Sequence, residues 1–210
     1  KRSTAHLSRA LSQRYRRIVI SAAHNSSLTP TPMQLTFLGA TQRVTGSNYL
    51  LEIGDKKLLI DCGLFQGDRD ADMKNFGSFG FDAKSIDAIL VTHSHIDHIV
   101  RIPKVVKEGF MGTIYSTKPC KAFSRVFLTD TEKILLSQAR REDVEPLWNK
   151  EHLSQTMKQW EGINYRTPLT IGAITIEFID AGHILGSAII VIRYKDTAIA
   201  FSGDLGNPPV

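Results

Sequence analysis

The segment that most constrains this chain is a short apolar run ending in a cluster of metal-binding side chains. Residues 86–93 read IDAILVTH, which is typical of a buried strand. Three histidines and one aspartate fall within six residues, at His93, His95, Asp97 and His98. A chance polar loop is the alternative, but imidazole and carboxylate suit Zn²⁺, Mn²⁺ or iron. The strand end can turn His93 and His95 toward one point, and the residues entering the next helix can offer Asp97 and His98 to a second point nearby.

Three more strand ends carry a histidine or an aspartate. Asp61 stands in LIDCG, His183 in DAGHILGS and Asp204 in SGDLG. Each alone is typical of a turn, because aspartate near glycine is a common turn residue. Two cations about 3.5–4 Å apart, however, need a shared carboxylate and several imidazoles. Four strand ends with such side chains therefore favour a metal site over a set of turns.

The apolar periodicity indicates an α/β layered fold. Residues 34–40 alternate as a strand, and residues 48–63 read as two strands joined at Gly54-Asp55. Helical spacing is predicted for 97–107 and for 118–137, followed by a polar, helical and mobile segment at 138–160. Three further strands are predicted over 173–204. Strands at both ends of the chain and helices between them are typical of a layered α/β domain.

The positive charge lies almost entirely in the first 33 residues. The formal net charge is +5. Residues 1–33 hold six basic and no acidic side chains, so residues 34–210 hold 20 basic and 21 acidic ones. We therefore predict a basic, disordered N-terminal extension at 1–33 and a folded domain at 34–210. The basic balance is poor support for nucleic-acid binding by the folded domain.

Cysteine content and the extension bear on the compartment. Two cysteines, Cys62 and Cys120, cannot form a disulfide framework, which favours a reducing, cytoplasmic location. The Arg- and Ser-rich extension also fits an organellar transit peptide, so an organelle is the alternative. Cys62 is a metal ligand, a nucleophile or a small buried residue. Ser47 and Ser187, each after a glycine, either contact phosphate through their backbone amides or form tight turns.

Five motifs together resemble a known family. HSHIDH (93–98) resembles the HxHxDH signature of the metallo-β-lactamase superfamily. GATQRVTGSNYLLE, DCGLFQG, GHILGSA and SGDLGN resemble its β-CASP branch of RNA-processing nucleases, which includes RNase J and the polyadenylation cleavage factor. The similarity runs from about Gln34 to Asn207. It implies an αββα sandwich of which this chain holds the N-terminal portion, lacking the β-CASP insertion and the C-terminal part.

The resemblance also implies a role for each residue. His93, His95 and His183 would bind one zinc, Asp97 and His98 a second zinc, Asp204 would bridge both, and Asp61 would orient a ligand histidine. Manganese is the alternative metal. A hydroxide held between the metals would attack phosphorus, with Asp97 and His98 as the catalytic residues and Asp97 aligning the hydroxide.

The implied function is metal-dependent RNA hydrolysis. The expected partners are an RNA substrate and other protein subunits, either in a homo-oligomer or in a processing complex. We expect no association with a membrane. We expect the 210-residue chain alone to be weakly active or inactive, because the family's further metal-binding histidine is absent. One alternative is a hydrolase of a small ester, thioester or lactam from the same superfamily. A degenerate scaffold is another, although the intact metal-binding side chains speak against it.

Overall fold

Two β-sheets lie face to face in the computed structural model, which describes residues 16–20, 33–67 and 70–206. The larger sheet has the strand order β1 to β7 along the chain. Its strands are β1 (Arg16–Ile20), β2 (Met33–Phe37), β3 (Tyr49–Ile53), β4 (Lys56–Ile60), β5 (Ala88–Leu90), β6 (Thr113–Thr117) and β7 (Trp160–Ile163).

The larger sheet is antiparallel from β1 to β4 and parallel from β4 to β7. Parallel neighbours end at the same edge of a sheet, so the carboxyl ends of β4 and β5 are adjacent. Asp61 follows β4 directly, and the 91–98 segment follows β5. The topology therefore brings two of the predicted strand ends together at one edge.

The smaller sheet supplies the other two strand ends. It is antiparallel, with the order β11-β10-β9-β8. Its strands are β8 (Leu169–Ile171), β9 (Ile174–Asp180), β10 (Ala188–Tyr194) and β11 (Thr197–Phe201). Alternate side chains from both sheets meet in a shared apolar core, which includes Leu51, Leu58, Ile60, Leu90, Ile176, Phe178, Ile190 and Ile192. This inward alternation is the period-2 pattern of a strand that is buried on one face.

The helices cover the outer face of the larger sheet. They are α1 (Ala71–Phe76), α2 (Ile96–Ile99), α3 (Ile102–Lys107), α4 (Lys118–Glu142) and α5 (Lys150–Gln159). A second apolar core lies beneath them and contains the buried rings of Phe110, Trp148 and Trp160. The indole N–H of Trp148 donates to the Val100 carbonyl at 2.7 Å, so this buried polar atom is satisfied.

The described residues thus supply both sheets and one helix layer of the predicted αββα arrangement. Among them, no helix combines the length and the apolar character that crossing a bilayer requires. Of the predicted extension at 1–33, residues 1–15 and 21–32 lie outside the described residues. Arg16–Ile20 forms β1 and pairs antiparallel with β2, so disorder is wrong for these five residues. Three β-branched residues in a row, 18–20, favour extended backbone.

The helix predicted over 97–107 is two helices with a break at residues 100–101. The Asp97 carbonyl accepts a hydrogen bond from the N–H of Ser47 at 2.9 Å, and the N–H of Arg101 donates to the Cys62 carbonyl at 2.9 Å. Contacts with neighbouring loops therefore replace the intrahelical bond that would have joined the two segments. The polar 138–160 segment is likewise interrupted, with α4 ending at Asp143 in a left-handed conformation and Asn149 capping α5.

The sandwich core can be tested by comparing two neighbouring residues of β10. Ile190 is fully buried between the sheets, whereas Ile189 points to the outer face and is half-buried. We expect Ile190→Ala to lower the free energy of unfolding by about 2–5 kcal/mol, because the substitution leaves a cavity. Ile189→Ala serves as the control and should cost about 1 kcal/mol. Urea denaturation measures both; equal losses would contradict this assignment of the two faces.

Candidate metal centre

Four ligand atoms from three strand ends converge above the edge of the two sheets. His93 Nε2 lies 3.1 Å from His95 Nδ1, and His183 Nε2 lies 3.2 Å from the same atom. Asp204 Oδ2 lies 3.7 Å from His93 Nε2 and 3.6 Å from His183 Nε2. All four atoms lie within 4.8 Å of one another. This set is called the first ligand group.

The spacing of the first ligand group allows its four atoms to share one cation. Ligand atoms at the usual zinc distances of about 2.0–2.1 Å stand roughly 3.3 Å apart around a tetrahedron. Four of the six separations among the first-group atoms, at 3.1 to 3.7 Å, lie near that value, and the other two are no longer than 4.8 Å. Three imidazole nitrogens and one carboxylate oxygen are also a donor set that zinc accepts. The residues present therefore fit a bound metal ion.

A second ligand group lies on the other side of Asp204. His98 Nε2 is 3.5 Å from Asp204 Oδ1 and 3.9 Å from Asp97 Oδ2. Asp204 thus turns one oxygen toward each group, as a carboxylate that bridges two cations through both oxygens does. The Asp204 side chain is 48% exposed, whereas His93 and His98 are buried. The centre is consequently rigid on the side of the larger sheet and open to solvent on the side of Asp204.

The buried carboxylate of Asp61 fixes the ring of His98. Asp61 Oδ1 accepts the Thr92 N–H at 2.8 Å, and Oδ2 accepts the Thr92 hydroxyl at 2.7 Å. His98 Nδ1 lies 2.7 Å from Asp61 Oδ2 and donates its proton to it. When the ring is neutral, as metal binding requires, Nε2 is the unprotonated nitrogen and directs its lone pair toward Asp97 and Asp204.

Thr92 orients His93 in the same way. Its hydroxyl proton goes to Asp61, so its oxygen is left to accept a hydrogen bond. His93 Nδ1 lies 3.1 Å from that oxygen and can donate to it. The His93 Nε2 atom therefore carries a free lone pair directed at the first ligand group. The chain Asp61–Thr92–His93 selects the tautomer that a metal needs.

The centre keeps its histidines in different charge states. Burial, together with the neighbouring His98, lowers the pKa of His93 to about 4. Burial and His183 lower the pKa of His95 as well. Burial also opposes charging of His98, but the carboxylates of Asp61, Asp97 and Asp204 outweigh it and raise its pKa. At neutral pH the first ligand group therefore presents neutral imidazole from His93 and His95, the form that binds cations.

A tight loop holds His183 in place. The Ser187 hydroxyl oxygen accepts the N–H groups of His183 and Ile184 at 3.1 and 3.2 Å. The N–H of Ala188 donates to the Thr92 carbonyl at 2.8 Å, which ties this loop to the other sheet. Ser187 is buried and serves the turn. Of the two roles predicted for Ser187, the structure supports the turn.

Glycines allow the backbone segments of the centre to approach one another closely. A Cβ at Gly203 would lie 2.7 Å from the Thr92 side chain, and Gly203 has φ +54°. A Cβ at Gly63 would overlap the Asp97 carbonyl, which lies 1.5 Å from that position. The motifs DCGLFQG and SGDLGN therefore need glycine for steric reasons as well as for turns.

A cavity of about 420 Å³ opens beside the second ligand group. Its lining includes His98 and Asp204, the aromatic rings of Phe37, Tyr49 and Phe201, and the guanidinium of Arg43. A space of this size is typical of a small-molecule or nucleotide subsite. No sequence pattern indicated this lining, because its aromatic residues come from strands of two different sheets.

The structure brings all seven residues singled out by the sequence, Asp61, His93, His95, Asp97, His98, His183 and Asp204, to one place. Their roles as metal ligands and as ligand-orienting group stay predictions.

Cys62 is fully buried, and burial raises the pKa of its thiol to about 11, so it stays protonated. Thr92 was missed, although its place directly before the first histidine and at the end of an apolar strand could have suggested it.

Comparison with protein families and sequences identifies similar proteins. The family model described as the metallo-beta-lactamase superfamily matches residues 42–209. Ribonuclease TTHA0252 of Thermus thermophilus is 37% identical over 175 residues, which cover 83% of this chain and 38% of the relative. Cleavage and polyadenylation specificity factor subunit 3 of Dictyostelium discoideum is 31% identical, over 82% of this chain and 22% of the relative. The chain thus spans well under half the length of these relatives.

Solved structures share the fold. A metallo-beta-lactamase fold protein from Bacillus subtilis, YhfI, superposes with a TM-score of 0.51 at 23% identity, covering 83% of this chain and 63% of that one. A protein of unknown function from Enterococcus faecalis gives a TM-score of 0.54 at 19% identity, covering 81% of this chain and 43% of that one. At these identities the likeness concerns the fold alone.

The role of Asp61 can be tested by replacing it with its amide. Asn tolerates the left-handed conformation of residue 61, at φ +54°, so Asp61→Asn changes charge and hydrogen bonding at little cost to the backbone. We expect zinc affinity to fall about 10- to 100-fold, because His98 loses its acceptor. Asp196→Asn, in an exposed turn, is the control and should bind zinc as the unmodified chain does. Competition with a chelating dye measures both; unchanged affinity in Asp61→Asn would refute the orienting role.

Proposed function

Because the chain belongs to the metallo-beta-lactamase superfamily, we propose that it carries the metal centre of an RNA hydrolase that cleaves phosphodiester bonds with two divalent cations. The observation that carries this proposal is the position of Asp204, with one oxygen facing each ligand group. Two cations on opposite sides of one carboxylate can act together on a single phosphate, whereas a single structural ion needs no such arrangement.

RNA is proposed as the substrate on the strength of the relatives. One is named a ribonuclease, and another is named as a subunit of a cleavage and polyadenylation factor. Both match over more than four-fifths of this chain. The chain spans well under half of either relative. We therefore propose that it shares the RNA cleavage of those whole proteins, and that it belongs to a processing complex.

Zinc is the proposed metal at the first ligand group. Three imidazole nitrogens with one carboxylate oxygen are typical of zinc, and the four atoms lie close enough together to share one ion. The second ligand group, with Asp97, His98 and Asp204, is richer in oxygen and also suits manganese. Bound cations would supply a coordinated water with a pKa near neutrality and would offset negative charge on the phosphoryl oxygens.

The residues of the chain have distinct tasks in the proposed reaction. Asp97 is 21% exposed and extends from the first turn of α2 toward the open side of the centre. Its Oδ2 atom can accept a hydrogen bond from the attacking water and hold it in line with phosphorus. The paired contacts of Asp61 with Thr92 and His98 keep the centre from rearranging as the phosphate enters. The solvent-exposed side of the centre, at Asp204, leaves room for an RNA strand to reach the ligand groups.

The proposal predicts slow, metal-dependent cleavage of single-stranded RNA. Turnover by this chain should be slow, because only three described side chains face the second ion. Cleavage should require zinc or manganese, stop on chelation, and fall on the order of 100-fold or more in Asp204→Asn. A 5′-labelled RNA resolved on a denaturing gel reports the rate, and Asp196→Asn should cleave at the rate of the unmodified chain.

The rival substrates are tested in the same preparation. A chromogenic lactam and a thioester are offered to the metal-loaded protein under the conditions of the RNA assay. The proposal predicts little turnover of either. Chelator-sensitive lactam or thioester hydrolysis with RNA left intact would replace the RNA hydrolase by a small-molecule hydrolase.

A further inference from the structure

A second polar groove lies between α4 and α5, away from the metal centre. Its volume is about 540 Å³. Four basic side chains line it, Arg125 and Lys133 from α4 and Lys150 and Lys158 from α5, and Glu132 is the one acidic residue in its lining. This excess contrasts with the folded domain at 34–210, in which acidic residues slightly outnumber basic ones. The groove is therefore a local concentration of positive charge.

The cations of the groove are available to a ligand. All four are exposed. Within the part of the chain that the structure describes, Arg125, Lys150 and Lys158 take part in no ion pair, and Lys133 has only the exposed Asp130 at 3.0 Å. Like charges in excess over their counter-charges repel one another. A polyanion in the groove would relieve that repulsion and release counterions.

The floor of the groove is apolar. Leu153 is buried and Met157 is partly buried, and both contribute to the lining between the two rows of cations. Each row extends about 12 Å, from 125 to 133 on α4 and from 150 to 158 on α5, at the helical rise of about 1.5 Å per residue. Charged walls above an apolar floor fit a chain that carries phosphates on one side and flat bases on the other.

The groove is connected to the metal centre through α4. The Thr117 hydroxyl, at the cap of α4, donates to the Gly186 carbonyl at 2.6 Å, within the loop that holds His183. Arg125 lies seven residues beyond the first residue of α4, or about 10 Å along the helix axis. The N-terminal end of α4 therefore lies beside the metal centre, and the helix leads from there to the groove.

We propose that the α4–α5 groove binds the sugar-phosphate backbone of single-stranded RNA outside the scissile position. This inference rests on the proposed function for its choice of RNA as the polyanion. The groove supplies affinity that does not depend on sequence, since lysine and arginine contact phosphates and the apolar floor accepts any base. It acts on substrate retention and takes no part in the chemistry at the metal centre.

The experiment removes three cations and compares the result with a matched variant. The test variant is Arg125→Gln/Lys150→Gln/Lys158→Gln. The control variant is Arg166→Gln/Arg193→Gln/Lys195→Gln, which loses the same charge from exposed positions on the smaller-sheet side. Both keep the six basic residues of 1–33, so any binding by that segment is common to the two.

Binding is measured with a fluorescent 20-nucleotide polyuridine RNA in chelator, so that no cleavage occurs, over a range of salt concentrations. Each lost phosphate contact lowers the slope of log affinity against log salt by about 0.7 for a single strand. We expect the slope to fall by about 2 and the affinity to fall at least tenfold in the test variant. The control should stay within about twofold of the unmodified chain. With metal restored, the test variant should show a raised KM and an unchanged kcat.

Several outcomes would overturn the inference. Equal RNA affinity and salt slope in the test and control variants would do so. So would normal RNA binding combined with lost binding of a polyglutamate peptide, which would make the groove a protein-docking surface. If the unmodified chain binds RNA through the groove but cleaves none with metal, the proposed hydrolase fails and the groove stands. If the unmodified chain cleaves RNA with metal but the test variant binds RNA as tightly as it does, the groove fails and the proposed hydrolase stands.

Photocrosslinking covers the case in which the triple variant does not fold. The unmodified chain is irradiated with 4-thiouridine RNA, and the adducts are located by mass spectrometry. Adducts on 122–133 or 150–159 support the groove. Adducts found only outside these two segments would contradict RNA binding in the groove.

Discussion

The metal centre depends on one buried carboxylate. Asp61 is 1% exposed, and it joins the end of β4 to the end of β5 by accepting two hydrogen bonds from Thr92 and one from His98. A buried charge is stabilised only when it is well hydrogen-bonded, so these contacts permit few alternative arrangements. The same contacts decide which nitrogen of His93 and of His98 is free. The scaffold therefore sets the orientation and the tautomer of one histidine in each ligand group.

The two sheets contribute unequally to the centre. The larger sheet supplies Asp61 and the 93–98 cluster, which are mostly buried and backed by tight backbone contacts at Gly63. The smaller sheet supplies His183 and Asp204, which are more exposed. This asymmetry suits hydrolysis, since ligands on the buried side hold their positions while the open side admits a large substrate. A face-to-face arrangement of sheets brings residues 61 and 204, far apart in sequence, to one edge.

Much of this arrangement could be predicted from the sequence, and the rest has physical reasons for being hidden. The 93–98 cluster and the strand ends at Asp61, His183 and Asp204 identified the candidate centre, because four strand ends with such side chains are hard to explain as turns. The resemblance to the β-CASP branch is confirmed by relatives named as ribonuclease and cleavage factor subunit. The positions of His93 and His95 at the strand end and of Asp97 and His98 at the helix start predicted two ligand groups. The assignment of His183 to the first group and of Asp204 to both came from the resemblance, since spacing alone cannot tell which distant side chains share an ion. The break between α2 and α3 and the short strands β7 and β8 were missed. The break depends on contacts with distant loops, and a three- or four-residue strand carries too little periodicity.

The sharing of Asp204 between two cations is tested most directly by anomalous diffraction from crystals of the zinc-loaded protein, recorded above and below the zinc absorption edge. We expect two peaks about 3.5–4 Å apart. One should contact His93 Nε2, His95 Nδ1 and His183 Nε2, the other should contact His98 Nε2, and each should contact a different oxygen of Asp204. A peak only at an unrelated position, or an occupied centre in which Asp204 contacts no metal, would contradict it.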